Sequence, residues 1–512
     1  MARIAPAKKA AVRTDAANRP SNAAGKPAAG MPPPPIKGTR RREGRSPVPM
    51  ACLLMPMACL PVPMAYNNAT KEKGAAVLFS DIAIINEDLR LEEHCWVGVA
   101  GERIAYLSHQ APTAQEAASY GEAYKGAGKL LMPGLYNAHS HAPMTLLRGY
   151  AESLPLQQWL NDKVFPFEDH IAPDEAYWAM QLACAEMACY GVVGMSDMYY
   201  HSRERIRAVI ENGMKINSCE GLIAFEEKPY RDYPIYGLNK GLIAEFHNAA
   251  AGRIRIDYNI HAEYTSNPLV VEGVAQAAQE AGLRIHLHAS ETRLEHEQCK
   301  ERHHGLTPVQ YFDSLGVFES PTTAAHCVWV EGADIGILAE KGVFVACNPA
   351  SNMKLGSGFA PIPAMLDRGV TVALGTDGMA SNNNHDLFQD LYLMCLVYKG
   401  YGLDPTLVTP EQGLYAATRA GALSQGRQDC GFVGLGAKAD LCVLDTTGPS
   451  WCPATNQVYN LVFSGHGSDV CLTMSDGKVI YRDSEWPTID VERAKAETQA
   501  ATARIIAAVG KG

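Results

Sequence analysis

Two histidines one residue apart are the first side chains in this sequence whose spacing suggests chemistry. His139 and His141 follow an apolar run at 130–136. Side chains at positions i and i+2 of a β-strand point to the same face, so this pattern directs two imidazoles toward one point. Imidazole nitrogen is a common ligand of divalent metals such as Zn²⁺. The pair predicts a metal site, although a histidine at a strand end is more often a hydrogen-bonded structural residue.

Three more side chains with metal-binding chemistry end strand-like runs further along the chain. They are His288, His326 and Asp377. Three imidazoles and one carboxylate would hold a Zn²⁺-like ion and leave room for a water, whose pKa the ion lowers toward neutrality. A lone aspartate at a strand end is usually a helix cap, but the recurrence on successive strands favours a metal site. His286 shares a face with His288 and is interpreted as an inner or supporting residue.

The elements that must position these residues alternate between strand and helix. Helical patterns such as 174–190 and 270–281 separate the strand-like runs. The candidate strands are 131–137, 192–198, 214–219, 255–260, 284–288, 322–326, 343–346 and 371–376. Eight such units in roughly 300 residues predict a distorted (β/α)8 barrel, whose active site lies at the C-terminal ends of its strands.

Further strand-like runs lie on both sides of this central region. They are 76–85, 95–99, 103–107, 440–444, 469–474 and 478–481. They predict a small β-sandwich domain that is built from both flanks of the chain beside the barrel. The expected division is a first β part at 75–130, the barrel at 131–425, a second β part at 426–489 and a C-terminal helix at 490–512.

Residues 1–73 have a different composition, rich in Ala, Pro, Arg and Lys. Such a segment buries too little apolar surface to offset its ordering entropy, so we expect a disordered extension. One alternative is a signal sequence, but Pro56, Pro61 and Pro63 interrupt its apolar helix. The preferred interpretation is a dispensable or untranslated extension, with Met64 as the candidate start.

Composition restricts the class of partner. The chain of 512 residues carries 45 Lys and Arg against 55 Asp and Glu, and this acidic balance argues against binding nucleic acid through its phosphates. No apolar run is long enough to predict a membrane span. Fourteen cysteines without a CxxC pair indicate reduced thiols. We therefore expect a cytoplasmic protein with a small-molecule substrate and neither a nucleic-acid nor a membrane partner.

Four motifs carry a resemblance to a known family. They are the segments 132–149, 325–327, 348–356 and 374–378. They resemble the amidohydrolase superfamily, and most of all its branch of methylthioadenosine/S-adenosylhomocysteine deaminases and related chlorohydrolases, over about residues 75–485. The resemblance implies one divalent ion held by His139, His141, His288 and Asp377. Zn²⁺ suits the nitrogen-rich ligands, with Fe²⁺ or Mn²⁺ as alternatives. It also implies a homo-oligomer.

The resemblance also implies a role for each further site residue. Glu291 protonates the ring nitrogen beside the reacting carbon, and Asp377 takes the proton of the attacking water and delivers it to the departing ammonia. His326 orients the attacking oxygen and hydrogen-bonds the tetrahedral intermediate. Glu168 and His261 contact the substrate, and Glu168 accepts hydrogen bonds from the ribose hydroxyls. The expected activity is hydrolytic deamination of an adenine-type nucleoside.

One position departs from the family. Glu220 stands where relatives that use S-adenosylhomocysteine have an arginine. An acidic side chain there would repel the amino-acid carboxylate, so a neutral substrate such as 5′-methylthioadenosine or 5′-deoxyadenosine is expected instead. The alternatives are deamination or dechlorination of another heterocycle (guanine, a pterin, an s-triazine), and a non-catalytic scaffold. The complete ligand set and Glu291 argue against the scaffold.

Overall fold

The backbone follows the strand pattern of the sequence closely. The computed structural model describes residues 76–150 and 152–510, so the extension expected at 1–73 and the candidate start at Met64 lie outside the described residues. The strands in the described part are β1 Ala76–Ile85, β2 Leu91–Ala100, β3 Arg103–Ser108, β4 Glu122–Lys125, β5 Lys129–Pro133, β6 Leu135–His141, β7 Val192–Tyr199, β8 Lys215–Glu220, β9 Ile254–Ile256, β10 Tyr258–Ile260, β11 Ile285–Ala289, β12 Thr322–His326, β13 Phe344–Cys347, β14 Val372–Leu374, β15 Asp377–Gly378, β16 Leu441–Asp445, β17 Val470–Ser475 and β18 Lys478–Arg482.

Helices fill most of the connections between the central strands. The α-helices in the described part are α1 Ala114–Ala117, α2 Leu156–Trp159, α3 Phe165–Glu168, α4 Pro173–Cys189, α5 Ser202–Asn212, α6 Pro234–Phe246, α7 Ala249–Gly252, α8 Pro268–Ala281, α9 Arg293–Arg302, α10 Pro308–Ser314, α11 Gly332–Glu340, α12 Pro349–Lys354, α13 Ile362–Asp367, α14 Leu387–Gly402, α15 Pro410–Tyr415, α16 Gly421–Ser424, α17 Gln457–Phe463 and α18 Val491–Val509. The predicted helices at 174–190 and 270–281 correspond to α4 and α8. No helix in the described residues is long and apolar enough to cross a membrane.

Two five-stranded parallel sheets contain the central strands. Their orders are β15-β6-β7-β8-β9 and β10-β11-β12-β13-β14. The strand predicted at 255–260 is divided, because Asp257 separates β9 from β10. The strand predicted at 371–376 is shorter, because β14 ends at Leu374, and Gly375 and Thr376 separate it from β15. All pairs within these sheets are parallel. The carboxyl ends of neighbouring strands therefore lie at one edge of each sheet.

The strands from the two flanks of the chain form one mixed sheet. Its order is β18-β17-β16-β5-β1-β2-β3, with β4 beside β1. β5 is the joint, because it pairs in parallel with β1 and antiparallel with β16, and Leu131 lies opposite Val443. Alternating apolar side chains of these strands, including Val97 and Val99, are fully buried on one face. The predicted pairing of the two flanks is therefore present as a single sheet.

A buried ion cluster links this mixed sheet to the central strands. The Nζ atom of Lys215, at the start of β8, donates to Oδ1 of Asp440 and, over 2.8 Å, to Oδ1 of Asp476. The hydroxyl of Tyr136 on β6 donates to the other oxygen of Asp440. Lys215 and Asp440 are almost completely buried. A buried charge is tolerated when it is paired in this way, so the cluster fixes the position of the two layers relative to each other.

The C-terminal helix packs close to the first predicted metal ligands. α18 begins after Asp490, whose side chain accepts a hydrogen bond from the Arg493 amide as an N-cap. The Thr502 hydroxyl donates over 2.9 Å to the carbonyl oxygen of Leu146. Leu146 belongs to the 3-10 turn Ala142–Leu147 that directly follows His141. The helix thus supports the segment that leaves the end of β6.

Candidate active site

The strand ends bring the predicted ligands from both parallel sheets to one place. His139 and His141 lie on β6, and Asp377 begins β15, which pairs with β6. His288 lies on β11, and His326 is the last residue of β12 beside it. The five side chains are therefore gathered by strand pairing, as expected from parallel strands that end at a common edge.

Nitrogen and oxygen atoms of this group converge on one point. Asp377 Oδ1 lies 3.3 Å from His139 Nε2 and 3.2 Å from His141 Nε2. His288 Nε2 lies 3.2 Å from His141 Nε2. His326 also offers a ligand atom within 4.8 Å of those of His139 and His288. His139 Nε2 is fully buried and has no hydrogen-bond partner among the described residues. Several lone pairs facing one another in a buried site fit a divalent cation between them.

The Nδ1 atoms of His139, His141 and His288 contact groups that lie outside the cluster. His139 Nδ1 lies 2.8 Å from Nε2 of His286, the residue expected to support the site from inside. His141 Nδ1 lies 2.5 Å from the carbonyl oxygen of Met198, and His288 Nδ1 lies 2.7 Å from that of His261. Such contacts fix the tautomer and the ring orientation, so that Nε2 of each ring faces the cluster.

Asp377 is kept ionised by its surroundings. Its Oδ2 atom accepts hydrogen bonds from the hydroxyls of Ser351 at 2.5 Å and Ser381 at 2.9 Å. Burial raises the pKa of the Asp377 carboxyl, but the close contacts with the imidazoles of His139 and His141 outweigh burial and hold that pKa well below its usual range. A carboxylate in this state is suited both to ligate a cation and to accept a proton.

Backbone strain is concentrated at these strand ends. Asp377 has φ 63°, His326 has φ 70° and Cys327 has φ 48°. Left-handed backbone in residues other than glycine costs about 1–3 kcal/mol each and persists only where the surrounding structure enforces it. The strain turns the side chains of Asp377 and His326 toward the cluster.

Glu291 and His326 face each other beside the cluster. His326 Nε2 lies 3.8 Å from Glu291 Oε2, and its Nδ1 lies 2.8 Å from Asn352 Oδ1. The Ser357 hydroxyl donates to Glu291 Oε1 over 3.3 Å. Burial raises the pKa of Glu291, although the positive charge of His326 opposes the rise. A buried carboxyl with a raised pKa is suited to donate a proton near neutral pH.

The loop that carries Glu291 is fixed by a second buried carboxylate. Glu295 accepts hydrogen bonds from the backbone amides of Ser290 at 2.9 Å and Glu291 at 2.7 Å. Thr292 caps the start of α9 in a reciprocal bond with Glu295. The sequence Glu291-Thr292-x-x-Glu295 thus builds a rigid turn immediately after β11.

A cavity of about 650 Å³, including its opening to solvent, lies over the cluster. Seven of the eight predicted site residues line it, and His139 lies behind its wall. The seven are His141, Glu168, His261, His288, Glu291, His326 and Asp377. The rest of the lining is largely apolar and includes Met144, Leu156, Trp159, Leu160, Val164, Phe165, Met198, Tyr199, Tyr200, Tyr264 and Leu355. The cavity thus combines the ionisable side chains of the cluster with a large apolar surface.

Glu168 and His261 are the two predicted substrate contacts. Burial raises the pKa of Glu168 to about 7, while the nearby Tyr199 hydroxyl opposes the rise. His261 Nδ1 lies 2.9 Å from the Thr265 hydroxyl. Burial lowers the pKa of His261 to about 3, and the positive charges of neighbouring histidines lower it further. His261 therefore offers a neutral imidazole to the cavity.

The expectation that the Glu220 carboxylate repels a substrate is wrong. Glu220 does not line the cavity, whereas the next residue, Gly221, does. Its Oε1 and Oε2 atoms accept the backbone amides of His201 at 3.0 Å and Ser202 at 2.8 Å. These amides begin α5 and need an acceptor, so the helix start draws the side chain away from the cavity.

Sequence reasoning missed the hydroxyls that support the two carboxylates. Ser381 bonds Asp377 and lines the cavity, and Ser357 bonds Glu291. Ser351 and Asn352 stand inside the motif at 348–356, so their proximity to the strand ends was available as a signal. Ser381 and Ser357 have no such signal, because serine is common in loops that have no function.

Comparison with known proteins agrees with this geometry. The amidohydrolase family matches residues 130–480. A 5-methylthioadenosine/S-adenosylhomocysteine deaminase of Dictyoglomus thermophilum is 41% identical over 376 residues, which are 73% of this chain and 87% of that protein. A 5′-deoxyadenosine deaminase of Methanothermobacter thermautotrophicus is 39% identical and covers 74% of this chain and 88% of its own length.

A solved structure shows the same fold. It is an adenosine deaminase from Xanthomonas campestris with bound zinc, 27% identical, with a TM-score of 0.77 over 84% of this chain and 98% of that chain. The family match spans both parallel sheets and every residue of the buried cluster. From this match and from relatives at about two-fifths identity over most of their length, we conclude that this chain belongs to the amidohydrolase family.

Proposed function

We propose that this protein is a metal-dependent hydrolytic deaminase of an adenine-type nucleoside, which it converts to the oxo product with release of ammonia. The observation that carries the proposal is the meeting of an ionised aspartate, a protonatable buried glutamate and a histidine in one cavity. The names of the similar proteins, which are deaminases of methylthioadenosine and S-adenosylhomocysteine, of 5′-deoxyadenosine and of adenosine, support it.

The donor set fits a single divalent ion, and His139, His141, His288 and Asp377 are the residues that would hold it. The unpartnered Nε2 of His139 supports this assignment. When bound, such an ion supplies Lewis acidity, which lowers the pKa of a water and makes it nucleophilic near pH 7. Nitrogen-rich ligands favour Zn²⁺, with Fe²⁺ or Mn²⁺ as alternatives. The adenosine deaminase neighbour is described with bound zinc.

Three side chains would divide the proton transfers. Glu291 gives its proton to the ring nitrogen beside the amino-bearing carbon, so negative charge does not build up on the ring. Asp377 accepts the proton of the attacking water and passes it to the amino group, which leaves as ammonia. His326 hydrogen-bonds the attacking oxygen and stabilises the tetrahedral intermediate. Water adds, ammonia leaves, and Glu291 recovers its proton when the ring carbonyl forms.

The cavity wall suggests a substrate with a neutral, apolar 5′ group. Glu168 would accept hydrogen bonds from the two ribose hydroxyls, and His261 would donate or accept one more. Among the described residues, no lysine or arginine lines the cavity. The carboxylate of S-adenosylhomocysteine would therefore lack a cationic partner, and its desolvation would be uncompensated. This missing cationic partner, and not repulsion by Glu220, is our reason to favour 5′-methylthioadenosine and 5′-deoxyadenosine as substrates.

The finer architecture is part of the proposal. We infer that the two parallel sheets are halves of one distorted (β/α)8 barrel, with β9 and β10 as one interrupted strand and β14 and β15 as another. Two contacts support closure of the barrel. The backbone amide of Asp257, between β9 and β10, donates to the carbonyl oxygen of Ser218 on β8 over 3.1 Å, and β15 pairs with β6. The mixed sheet would form the small β-sandwich domain. The protein would act in the cytoplasm, as its unpaired cysteines indicate, and as a homo-oligomer, as its resemblance implies.

Ammonia release by the full-length protein with one equivalent of Zn²⁺ tests the function. The substrates are 5′-methylthioadenosine, 5′-deoxyadenosine, adenosine, S-adenosylhomocysteine, guanine and a pterin, with Asp377→Asn as the blank. We expect turnover of the neutral adenosines that is abolished in the blank. Activity on guanine or the pterin alone would contradict the ribose contact of Glu168 and leave the proton transfers intact. Ammonia release that persists in Asp377→Asn would contradict the proposed chemistry.

A further inference from the structure

Two arginines meet at the face of the central sheets opposite the proposed active site. Arg255 lies in β9, and Arg284 directly precedes β11. These are the amino-terminal ends of parallel strands, whereas the buried cluster lies at the carboxyl ends. The described chain thus carries two positive charges near each other and far from the reacting groups.

Both guanidinium groups hold buried donors without a partner. Nε of Arg255, and Nε and Nη2 of Arg284, are buried and have no hydrogen-bond partner among the described residues. Arg255 uses Nη1 to donate to the carbonyl oxygen of Gln425 over 2.8 Å. A buried N–H group without an acceptor is destabilising, and more so when the group is charged, so three such atoms in one place need an acceptor.

Both side chains pack against the same glycine. A β-carbon built on Gly426 would lie 2.7 Å from Arg255 Nη1 and 3.7 Å from both Cδ and Nη1 of Arg284. Both side chains therefore lie within contact distance of one point. Gly426 has φ 74°, a backbone conformation that residues with a side chain rarely adopt.

The surrounding charges leave an excess of positive charge. Arg427 is buried nearby, and its Nη2 donates to the carbonyl of Arg253 over 2.8 Å. Burial lowers the pKa of Arg255, and repulsion by Arg427 and Arg284 lowers it further, opposed by Asp257. The Asp257 carboxylate accepts Asn217 Nδ2 at 2.9 Å. No ion pair within 4.0 Å joins Asp257 to either arginine in the described residues.

We propose that Arg255 and Arg284 form a binding site for a small tetrahedral oxyanion of the phosphate class. The planar guanidinium fork matches two oxygens of such an anion, and a second arginine can reach the others. The bound anion would satisfy the orphaned donors and cancel the mutual repulsion. This site is independent of the deaminase activity, and its occupancy would stabilise the fold through mass action.

Thermal unfolding and calorimetric titration with inorganic phosphate test the site in the full-length holoenzyme. Ionic strength is held constant with sodium chloride, so that general screening does not contribute. The variants are Arg284→Gln and Arg255→Lys, and the matched control is Arg368→Gln, an exposed arginine on another element. We expect saturable stabilisation of the wild type and of the control, and at least tenfold weaker phosphate binding in both site variants.

The thermal stability of Arg284→Gln relative to the wild type, with and without phosphate, gives a second test. Without phosphate, Arg284→Gln should be at least as stable as the wild type, because it removes a buried charge with unpaired donors. In saturating phosphate the order should reverse, while deamination by the variant stays unchanged. Equal phosphate stabilisation of wild type and Arg284→Gln would overturn the proposal, as would the absence of saturable binding to the wild type. If Arg284→Gln does not fold, Arg255→Lys decides in the same way.

Discussion

At the residue scale, the orientation of each imidazole determines what the cluster can bind. His286, a backbone carbonyl and the His261 carbonyl occupy the Nδ1 side of three rings, so their Nε2 atoms face Asp377 and one another. The sequence predicted which residues meet, because parallel strand ends collect side chains at one edge. It did not predict the hydroxyls of Ser357 and Ser381, since their loops have no periodic pattern.

Glu291→Gln tests the proton donor. Glutamine keeps the shape of the side chain but cannot deliver a proton, so kcat for deamination should fall by roughly 10²–10⁴-fold. Metal content, measured on the purified variant, should equal that of the wild type because Glu291 is outside the predicted ligand set. Glu297→Gln, an exposed glutamate on α9, should retain full activity. A Glu291→Gln enzyme with wild-type kcat would exclude this role.

The raised pKa of Glu168 predicts a pH-dependent KM. Because burial raises this pKa to about 7, the carboxyl is ionised above pH 7 and progressively protonated below it. Only the ionised form accepts two hydrogen bonds from a ribose diol. KM for a nucleoside should therefore rise by about tenfold between pH 8 and pH 6, since one pH unit changes the ionised fraction up to tenfold. Steady-state kinetics of Glu168→Gln should show a KM that is high and flat across this range. The same slope in the variant would assign the titration to another group.

At the element scale, the ends of strands and helices decide where side chains point. The runs 255–260 and 371–376 predicted two continuous strands, but the first is interrupted at Asp257 and the second ends at Leu374. Polar residues also occur within regular strands, so the sequence pattern alone does not reveal these breaks. The start of α5 gives a second example. The backbone amides at its start bind the Glu220 carboxylate, so this side chain does not take the substrate-facing position that the family motif suggests.

Glu220→Gln separates helix capping from substrate selection. The glutamine side chain has one acceptor oxygen, so it can accept only one of the two backbone amides, and it lacks the favourable negative charge at the helix start. The free energy of unfolding should therefore fall by about 0.5–2 kcal/mol. The ratio of kcat/KM for S-adenosylhomocysteine to that for 5′-methylthioadenosine should stay within about twofold. Urea unfolding and parallel assays measure both quantities, with the exposed Glu227→Gln as the control. A tenfold rise in the ratio would place the Glu220 carboxylate near the substrate after all.

At the scale of the whole molecule, one ion cluster joins two layers that are far apart in the sequence. The sequence predicted that strands from both flanks would associate, because each flank is too short to bury its apolar faces alone. It did not predict Lys215 as the link, since a lysine in an apolar run has no visible partner until the fold brings Asp440 and Asp476 to it.

Lys215→Met tests this link. The variant leaves two buried carboxylates without their cation, so we expect a loss of about 3–5 kcal/mol in the free energy of unfolding at pH 7. Although burial raises the pKa of Asp440, the charge of Lys215 outweighs it and holds that pKa below its usual value. The stabilisation is therefore present above the pKa of this aspartate in the unfolded chain, and it is lost as the pH falls through the lower pKa in the folded protein. The difference in the free energy of unfolding between the wild type and Lys215→Met should narrow below about pH 4. The exposed Lys478→Met serves as the control. A difference that is constant with pH would contradict an electrostatic cause.

The position of β5 also sets an order of events during synthesis. β5 runs into β6 and its two histidines, yet its antiparallel partner β16 is translated roughly 300 residues later, and closing so long a loop is entropically costly and slow. Until the ribosome has released β16, one edge of β5 stays open to any other strand in the cell. A nascent chain that stalls before residue 441 should therefore depend on chaperones. Synthesis of β16 would then be the checkpoint after which the enzyme can mature.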